Sequence, residues 1–263
     1  MCERDLQNLN INDPTIVLVR PQMGENIGAV ARAMCNFGLY ELRLVSPRDA
    51  DSWLSSAAFA MASGADKILE NAIIYDSLRN AVADCNFVCA TSARARDMQI
   101  PSFSPRESAN MLCTESVGKS ALVFGGERAG LSNEDILCAN QLISIPTNPD
   151  FRSLNLAQSV IVIAYEWYQA KSCYNRSHAT ADGQERKDEG RALHKLVDSM
   201  LEDLVARLDK CNFFHETNRK ARCMMLETLF RRHTFSNNEI HALRGVFKAL
   251  SNVPRLYDSE TDR

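Results

Sequence analysis

Two rhythms of apolar and polar positions alternate along the chain. Short β-branched runs recur at 15–20 (TIVLVR), 41–46 (ELRLVS), 87–91 (FVCAT), 121–124 (ALVF) and 142–145 (LISI). Runs of this length, bounded by polar or turn-forming residues, predict strands. Between them the spacing becomes helical: Ile27, Val30, Ala31 and Met34 share one face of 26–37, and Gly38 stands where a left-handed residue closes a helix. A second helix is predicted from Ser104, because Ser-Pro-Arg-Glu supplies a cap, a proline at the first helical position and a glutamate three residues on. Ser132 and Asp135 offer a further helix start. Strands alternating with helices predict an α/β domain with a mainly parallel sheet.

The pattern changes after 154. From Leu154 to Tyr168 almost no polar face survives, and a helix apolar all round must be covered on every side. Burial within one domain would satisfy it, and so would packing of part of it on a second copy of the chain. Residues 171–190 are polar and without apolar period, which predicts a linker. Beyond it Leu193, Leu196, Val197, Met200, Leu201, Leu204, Val205 and Leu208 form one stripe of a long helix. Two more helices are predicted to follow, the last opened by the Ser236–Glu239 capping box and ended before Pro254. The division expected is therefore a domain over 1–170, a linker over 171–190 and a small helical module over 191–263.

Composition narrows the setting. At 263 residues the chain exceeds the usual size for one core, in keeping with a domain plus an appendage. Its nine cysteines include no CxxC pair, and Cys85 with Cys89 has no second half of a metal site. Reduced thiols filling space in a cytoplasm, and no bound metal, are expected. MCERDLQNLN carries no apolar stretch of the kind a signal peptide needs, and no apolar run approaches the roughly 20 residues that span a bilayer. The net charge of −3 advertises no nucleic acid, so any RNA-binding surface must be local.

Three apolar runs end in small or polar residues: Thr91-Ser92-Ala93, Gly125-Gly126-Glu127, and Ile145-Pro146-Thr147 followed by Arg152-Ser153-Leu154-Asn155. In open α/β sheets ligands gather at the carboxyl ends of strands, so these loops can converge on one backbone-lined pocket; turning the chain is the plainer use of each alone. Neither GxGxxG nor GxxxxGK[ST] occurs, which sets aside the dinucleotide and Walker loops. Gly24-Glu25-Asn26 precedes a helix, placing Asn26 near a positive helix start where free N–H groups can hold a phosphate. Gly28 and Arg32, four apart, share a face of that helix.

These segments carry a resemblance. NIGAVARA at 26–33, FGGERAGL at 124–131 and IPxxPxxxSLNLAQSV at 145–160 resemble the three ordered motifs of the SpoU branch of the SPOUT RNA methyltransferases, over about residues 14 to 170. The helical extension and TSARAR at 91–96 make the chain most similar to the TrmJ-type tRNA 2′-O-methyltransferases. The resemblance implies a trefoil-knotted α/β fold, a homodimer, S-adenosylmethionine as methyl donor, and methylation of a tRNA ribose at cytidine or uridine in position 32, the first nucleotide of the anticodon loop. A ribosomal RNA or another tRNA position is the rival target, and a non-catalytic RNA-binding factor of the same fold is the rival class.

Carried over residue by residue, the donor site becomes Thr91, Ser92, Ala93, Gly125, Gly126, Ile145, Arg152, Ser153 and Leu154. Arg152 departs from the small residue relatives often carry there. The two glycines are expected to let the donor lie against backbone. The catalytic group becomes Asn26, Arg32, Glu127, Ser153 and Asn155. Family proposals make Arg32 the base, whereas guanidinium groups stay protonated in proteins. The preferred expectation is that Arg32 binds the adjacent phosphate and stabilises a developing alkoxide, with Ser153 and Asn155 positioning it and Glu127 holding; a neutral Arg32 is the alternative. For gripping RNA the candidates are Arg94 and Arg96, together with Arg219, Lys220, Arg222, Arg231 and Arg232, five cations opposed by Glu227 alone within 219–232.

Overall fold

The computed structural model describes residues 13–49, 51–92, 100–114, 118–178, 191–215 and 217–251. Seven strands, β1 (Thr15–Val19), β2 (Leu42–Val45), β3 (Ile73–Tyr75), β4 (Phe87–Thr91), β5 (Ser102–Phe103), β6 (Ser120–Gly125) and β7 (Gln141–Ile143), form one sheet in the order β3-β2-β1-β6-β4-β7-β5. Every pairing is parallel. β7 therefore lies between β4 and β5 although it follows both in the chain.

Side chains alternate across a strand, so each strand feeds two cores. Ile16 and Leu18 of β1 point to one face, covered by α1 (Gly24–Asn36), α2 (Ser56–Ala62), α3 (Asp66–Glu70), α5 (Pro105–Thr114) and α7 (Leu156–His178). Val17 and Val19 point to the other, where α4 (Leu78–Ala81) and α6 (Asn133–Ile136) lie. Burial on both faces explains why the strands read as continuous apolar runs rather than alternating ones. Trp167 of α7 is buried in the first core, and truncating such a side chain costs about 3–5 kcal/mol.

The predicted caps form. Gly38 adopts φ 69° behind α1, and Leu39 N donates to Met34 O at 2.9 Å. Ser104 N donates to Glu107 Oε2 at 2.8 Å while Glu107 N donates to Ser104 Oγ at 3.3 Å, reproducing the capping box at α5. α6 opens with the reciprocal Ser132–Asp135 box.

Two expectations change. Residues 171–178 of the predicted linker continue α7, with Lys171 Nζ paired to Asp13; 179–190 lie outside the described residues. The apolar helix is also not covered on every side: Ile161, Tyr165 and Tyr168 are 43%, 47% and 48% exposed. Phe37 packs beside them, its ring 6.1 Å from those of Tyr165 and Tyr168. Among the described residues of one chain, nothing completes the cover of this face.

The C-terminal helices α8 (His194–Lys210), α9 (Arg219–Arg231) and α10 (Asn237–Ser251) enclose a small core of Ala192, Val197, Met200, Leu201 and Ile240. The Ser236–Glu239 box caps α10, with Ser236 N on Glu239 Oε2 at 2.7 Å. This module is pinned to the sheet by polar contacts. His194 N donates to Cys85 O at 2.9 Å and Asn86 Nδ2 to Arg191 O at 2.6 Å. Asn140, just before β7, accepts from Val88 N at 2.8 Å and donates to Arg231 O at 3.0 Å. His194 Nε2 meets Asn140 Oδ1 at 2.9 Å and must donate there, which leaves Nδ1 to accept from Arg231 Nη1 at 3.4 Å. Burial, then the Arg231 charge, pushes the His194 imidazole down to about 4, so the ring is neutral at pH 7.

Candidate active site

The carboxyl ends of β4, β6 and β7 open into one cavity of about 640 Å³, within the roughly 300–1,000 Å³ usual for small-molecule sites. Thr91 and Ser92 come from β4, Gly125 and Gly126 from β6, Ile143 and Ile145 from β7, and Arg152, Ser153 and Leu154 from the approach to α7. The three loops picked out in sequence thus converge. Ala93, with Arg94 and Arg96, lies outside the described residues. The cavity also takes in Phe124, Arg128, Leu131, Thr147 and Ser159, which lie within those motifs but outside the donor set carried over from them. Gly126 and Gly130, which bracket that wall by bonding Gly130 N to Gly126 O at 2.9 Å, were the sequence signal for it.

The glycines at 125 and 126, which line the cavity, also admit the protein's own backbone. A Cβ on Gly125 would lie 2.3 Å from the Gly130 carbonyl carbon and the Leu131 nitrogen, and one on Gly126 would lie 2.2 Å from Arg20 O. That backbone is the returning loop for Gly125 and the end of β1 for Gly126. Gly28 likewise faces α2, where a Cβ would meet Ala58 O at 2.0 Å.

Beside the cavity a hydrogen-bond chain joins all three motifs. Asn155 Nδ2 donates to Asn26 Oδ1 at 2.9 Å, and Asn26 Nδ2 donates to Glu127 Oε1 at 2.8 Å. Glu127 also accepts from the N–H groups of Gln22 at 3.0 Å and Met23 at 3.3 Å. Glu127 thus supplies an anion at this helix start, taking the N–H groups of Gln22 and Met23 that lead into α1. Asn155 Oδ1 caps α7 through Ala157 N at 2.9 Å, so the same side chain fixes the helix and the network. Glu127 lines the cavity, its oxygens accepting from Asn26, Gln22 and Met23.

Arg32 is not part of this chain. It is exposed on α1, does not line the cavity, and has no hydrogen-bond or ion-pair partner among the described residues. Ser153 lines the cavity, and Arg152 beside it donates from Nε to Pro149 O at 3.2 Å.

The C-terminal cations divide. Arg231 is 2% exposed and ion-paired to Asp198, which removes it from the set available to RNA. Arg219 is engaged by Asp209 at 3.1 and 2.8 Å, and Arg222 donates to Phe213 O at 3.1 Å while lying over that residue's ring. Lys220, largely exposed, stands 3.3 Å from Glu134, and Arg232 is exposed. Among the described residues no group of three or more His, Cys, Asp or Glu could hold a metal ion, and no helix is long and apolar enough to cross a membrane.

A parallel sheet whose strand ends enclose one cavity, flanked by these three motifs, defines the class. Residues 13–165 match the model of the SpoU rRNA Methylase family, and the chain belongs to that family: it is a methyltransferase. It is 36% identical over 250 residues to the tRNA (cytidine/uridine-2′-O-)-methyltransferase TrmJ of Citrobacter koseri, covering 93% of this chain and 97% of that protein. It is 44% identical over 151 residues to an uncharacterized tRNA/rRNA methyltransferase of Haemophilus influenzae, covering 57% of this chain and 61% of that protein. Among solved structures it is similar to TrmJ from Z. mobilis ZM4, with a TM-score of 0.78 at 40% identity over 90% of this chain and 98% of that one.

Proposed function

We propose that this chain methylates the ribose 2′-oxygen of a tRNA nucleotide, cytidine or uridine at position 32, with S-adenosylmethionine as donor. The observation that carries the reading is the Asn155–Asn26–Glu127 chain, which ties the three motifs together beside a single cavity. Relatives of nearly the same length named tRNA (cytidine/uridine-2′-O-)-methyltransferase support the substrate class.

The cavity suits the donor. Phe124, Leu131, Ile143, Ile145 and Leu154 give an apolar lining for an adenine, while Thr91, Ser92, Thr147 and Ser153 bring polar groups for its ribose and amino-acid ends. When bound, S-adenosylmethionine supplies a methyl already activated on a sulfonium. What the protein must add is alignment, which contributes roughly 7–11 kcal/mol in well-oriented systems, and stabilisation of the oxygen as it loses its proton. Arg32 supplies the second through its guanidinium, on the nucleotide's phosphate and the developing alkoxide. Asn155 and Ser153 orient the ribose, and Glu127 keeps Asn26 turned toward Asn155.

Arg32 is not among the described residues that line the cavity, and the reading accordingly includes a homodimer. The exposed Ile161, Tyr165 and Tyr168, bordered by the half-buried Phe37, are the proposed seat of a second copy, and Arg32 is proposed to serve the cavity of that neighbour. The trefoil knot belongs to the same reading, supported by the place of β7 between β4 and β5. So does a cytoplasmic setting, in which Cys85 and Cys89 are thiols that burial pushes up to about 12. Arg219, Lys220, Arg222 and Arg232 are proposed to contact RNA, with Arg94 and Arg96.

The test is to incubate tRNA with the protein and labelled S-adenosylmethionine and to map 2′-O-methyl groups. Label at position 32 is expected. Label elsewhere in tRNA, or on ribosomal RNA alone, replaces the target; none on any RNA overturns the reading.

A further inference from the structure

At the end of β1 stands a residue that the reading above does not use. Arg20 adopts φ 51°, in the left-handed region where a side chain other than glycine is strained and persists only if its surroundings impose it. Three contacts do so. Arg20 N donates to Val45 O at 2.8 Å, and its carbonyl is covered so closely by Gly126 that no β-carbon fits between them. Its guanidinium crosses to Asp135, with Nη1 3.3 Å from Oδ1 and Nη2 paired to Oδ2. A two-pronged pair of this kind fixes direction as well as distance.

Asp135 has a second duty. Its Oδ2 accepts from Ser132 N at 2.7 Å, and its own N–H donates to Ser132 Oγ at 3.1 Å, so it is the reciprocal member of the box that opens α6. The carboxylate is 8% exposed. Burial raises its pKa, but the bonds from Arg20 and Ser132 outweigh burial and hold it below the ordinary range.

These contacts define how the cavity wall is held. Residues 127–131 all line the cavity and lie between Gly126 and α6. The near end is anchored by Glu127 on Gln22, Met23 and Asn26, and the far end by Asp135 on Arg20. Both anchors thus reach to the short connection between β1 and α1 or the first turn of α1. Arg128 and Ala129, at the tip between the anchors, are exposed.

We propose that Arg20 is a positioning residue for the methyl-donor cavity: gripping Asp135, it fixes the far end of the 127–131 wall in the shape that receives the donor. The inference rests on the donor reading of the cavity and adds to it the element that sets donor affinity from outside the three motifs. Arg20 does not line the cavity, so it acts only through Asp135 and the wall.

The test uses the full chain with Arg20→Gly, which relieves the left-handed strain and removes the fork, Arg20→Lys, which keeps the charge alone, and Asp135→Asn. Donor binding is measured by calorimetry, turnover on tRNA by label transfer, and folding by thermal unfolding. Arg20→Gly is expected to raise Kd and KM for S-adenosylmethionine about tenfold, with kcat at saturating donor within about twofold of the parent. The KM for tRNA and its salt dependence stay as they were, and Arg20→Lys falls between parent and glycine variant. Combining Arg20→Gly with Asp135→Asn adds little to either change alone, as partners in one interaction should. Unchanged donor affinity in a folded Arg20→Gly protein overturns the proposal, as does a lowered melting temperature without the split between KM and kcat. A raised KM for tRNA with a shallower salt slope and unchanged donor affinity makes Arg20 a phosphate contact instead. If the parent protein itself takes up no S-adenosylmethionine, the donor reading fails rather than the role of Arg20.

Discussion

The two ends of the parallel sheet treat charge in opposite ways. At the amino ends, Glu41, Asp84 and Lys119 precede β2, β4 and β6 and close around Arg43, which is 2% exposed. Arg43 donates to Glu41 at 3.0 Å and to Asp84 at 2.8 Å, and Lys119 lies 2.7 Å from Glu41 and 3.1 Å from Asp84. The Asn140–His194–Arg231–Asp198 group pins the helical module at the same end. At the carboxyl ends, Arg128 and Ser153 line the cavity with no partner among the described residues, and Arg20 sits in a strained conformation. One end uses its polar groups on itself, as a buried network must. The other ties up part of its own in the Asn155–Asn26–Glu127 chain and the Arg20–Asp135 pair but turns Arg128 and Ser153 to the cavity, where open α/β sheets bind ligands.

The largest effect that could break this contrast is at Arg43. Arg43→Ala strands Glu41, Asp84 and Lys119 without their central partner, and a loss of about 3–5 kcal/mol in denaturant unfolding is expected. A loss as small as an exposed pair gives would mean that the amino end is no more committed to stability than the other. Arg32→Ala is the complementary experiment: turnover falls about 10²–10³-fold while melting temperature and donor affinity hold. A matching fall in stability would return Arg32 to the scaffold.

Acid sharpens the comparison. His194 has a folded pKa of about 4 against 6.5 when free, so the unfolded chain binds the extra proton between those values and stability rises with pH across that window. The contribution, roughly 3 kcal/mol, is present above pH 6.5 and lost as pH falls toward 4. Hydrogen exchange should show 191–240 loosening first, and His194→Gln should flatten the dependence. The smallest effect concerns Lys220. Lys220→Ala is expected to leave the melting temperature alone and to reduce the salt slope of tRNA binding by about 1.

How much of this the chain disclosed follows from where the stabilising contacts lie. β1, β2, β4, β6 and β7 are buried on both faces and announce themselves as apolar runs. β3 is an edge strand with Ile73 and Ile74 half exposed, and β5 is two residues that exist as a strand only through β7. The helices α2 and α4 span at most two turns and owe their starts to Ser55 and Ser77 caps, too short for a period to register. α7 outruns its apolar pattern because residues 171–178 inherit a helix already nucleated, with Lys171 tied to Asp13. In the site, glycine at 125 and 126 marks a close approach without saying what approaches. Arg231 and Arg232 are indistinguishable as letters, and only the contacts of the first with Asn140, His194 and Asp198 bury it and leave the second in solvent.

The central claim is that the cavity at the carboxyl ends of β4, β6 and β7 holds the methyl donor. Calorimetric titration of S-adenosylmethionine into the full chain and into Thr147→Trp, which fills the cavity from an exposed-side loop, tests it most directly. Saturable uptake by the parent and none by the folded tryptophan variant is the result expected; equal uptake by both would place the donor elsewhere and contradict the account.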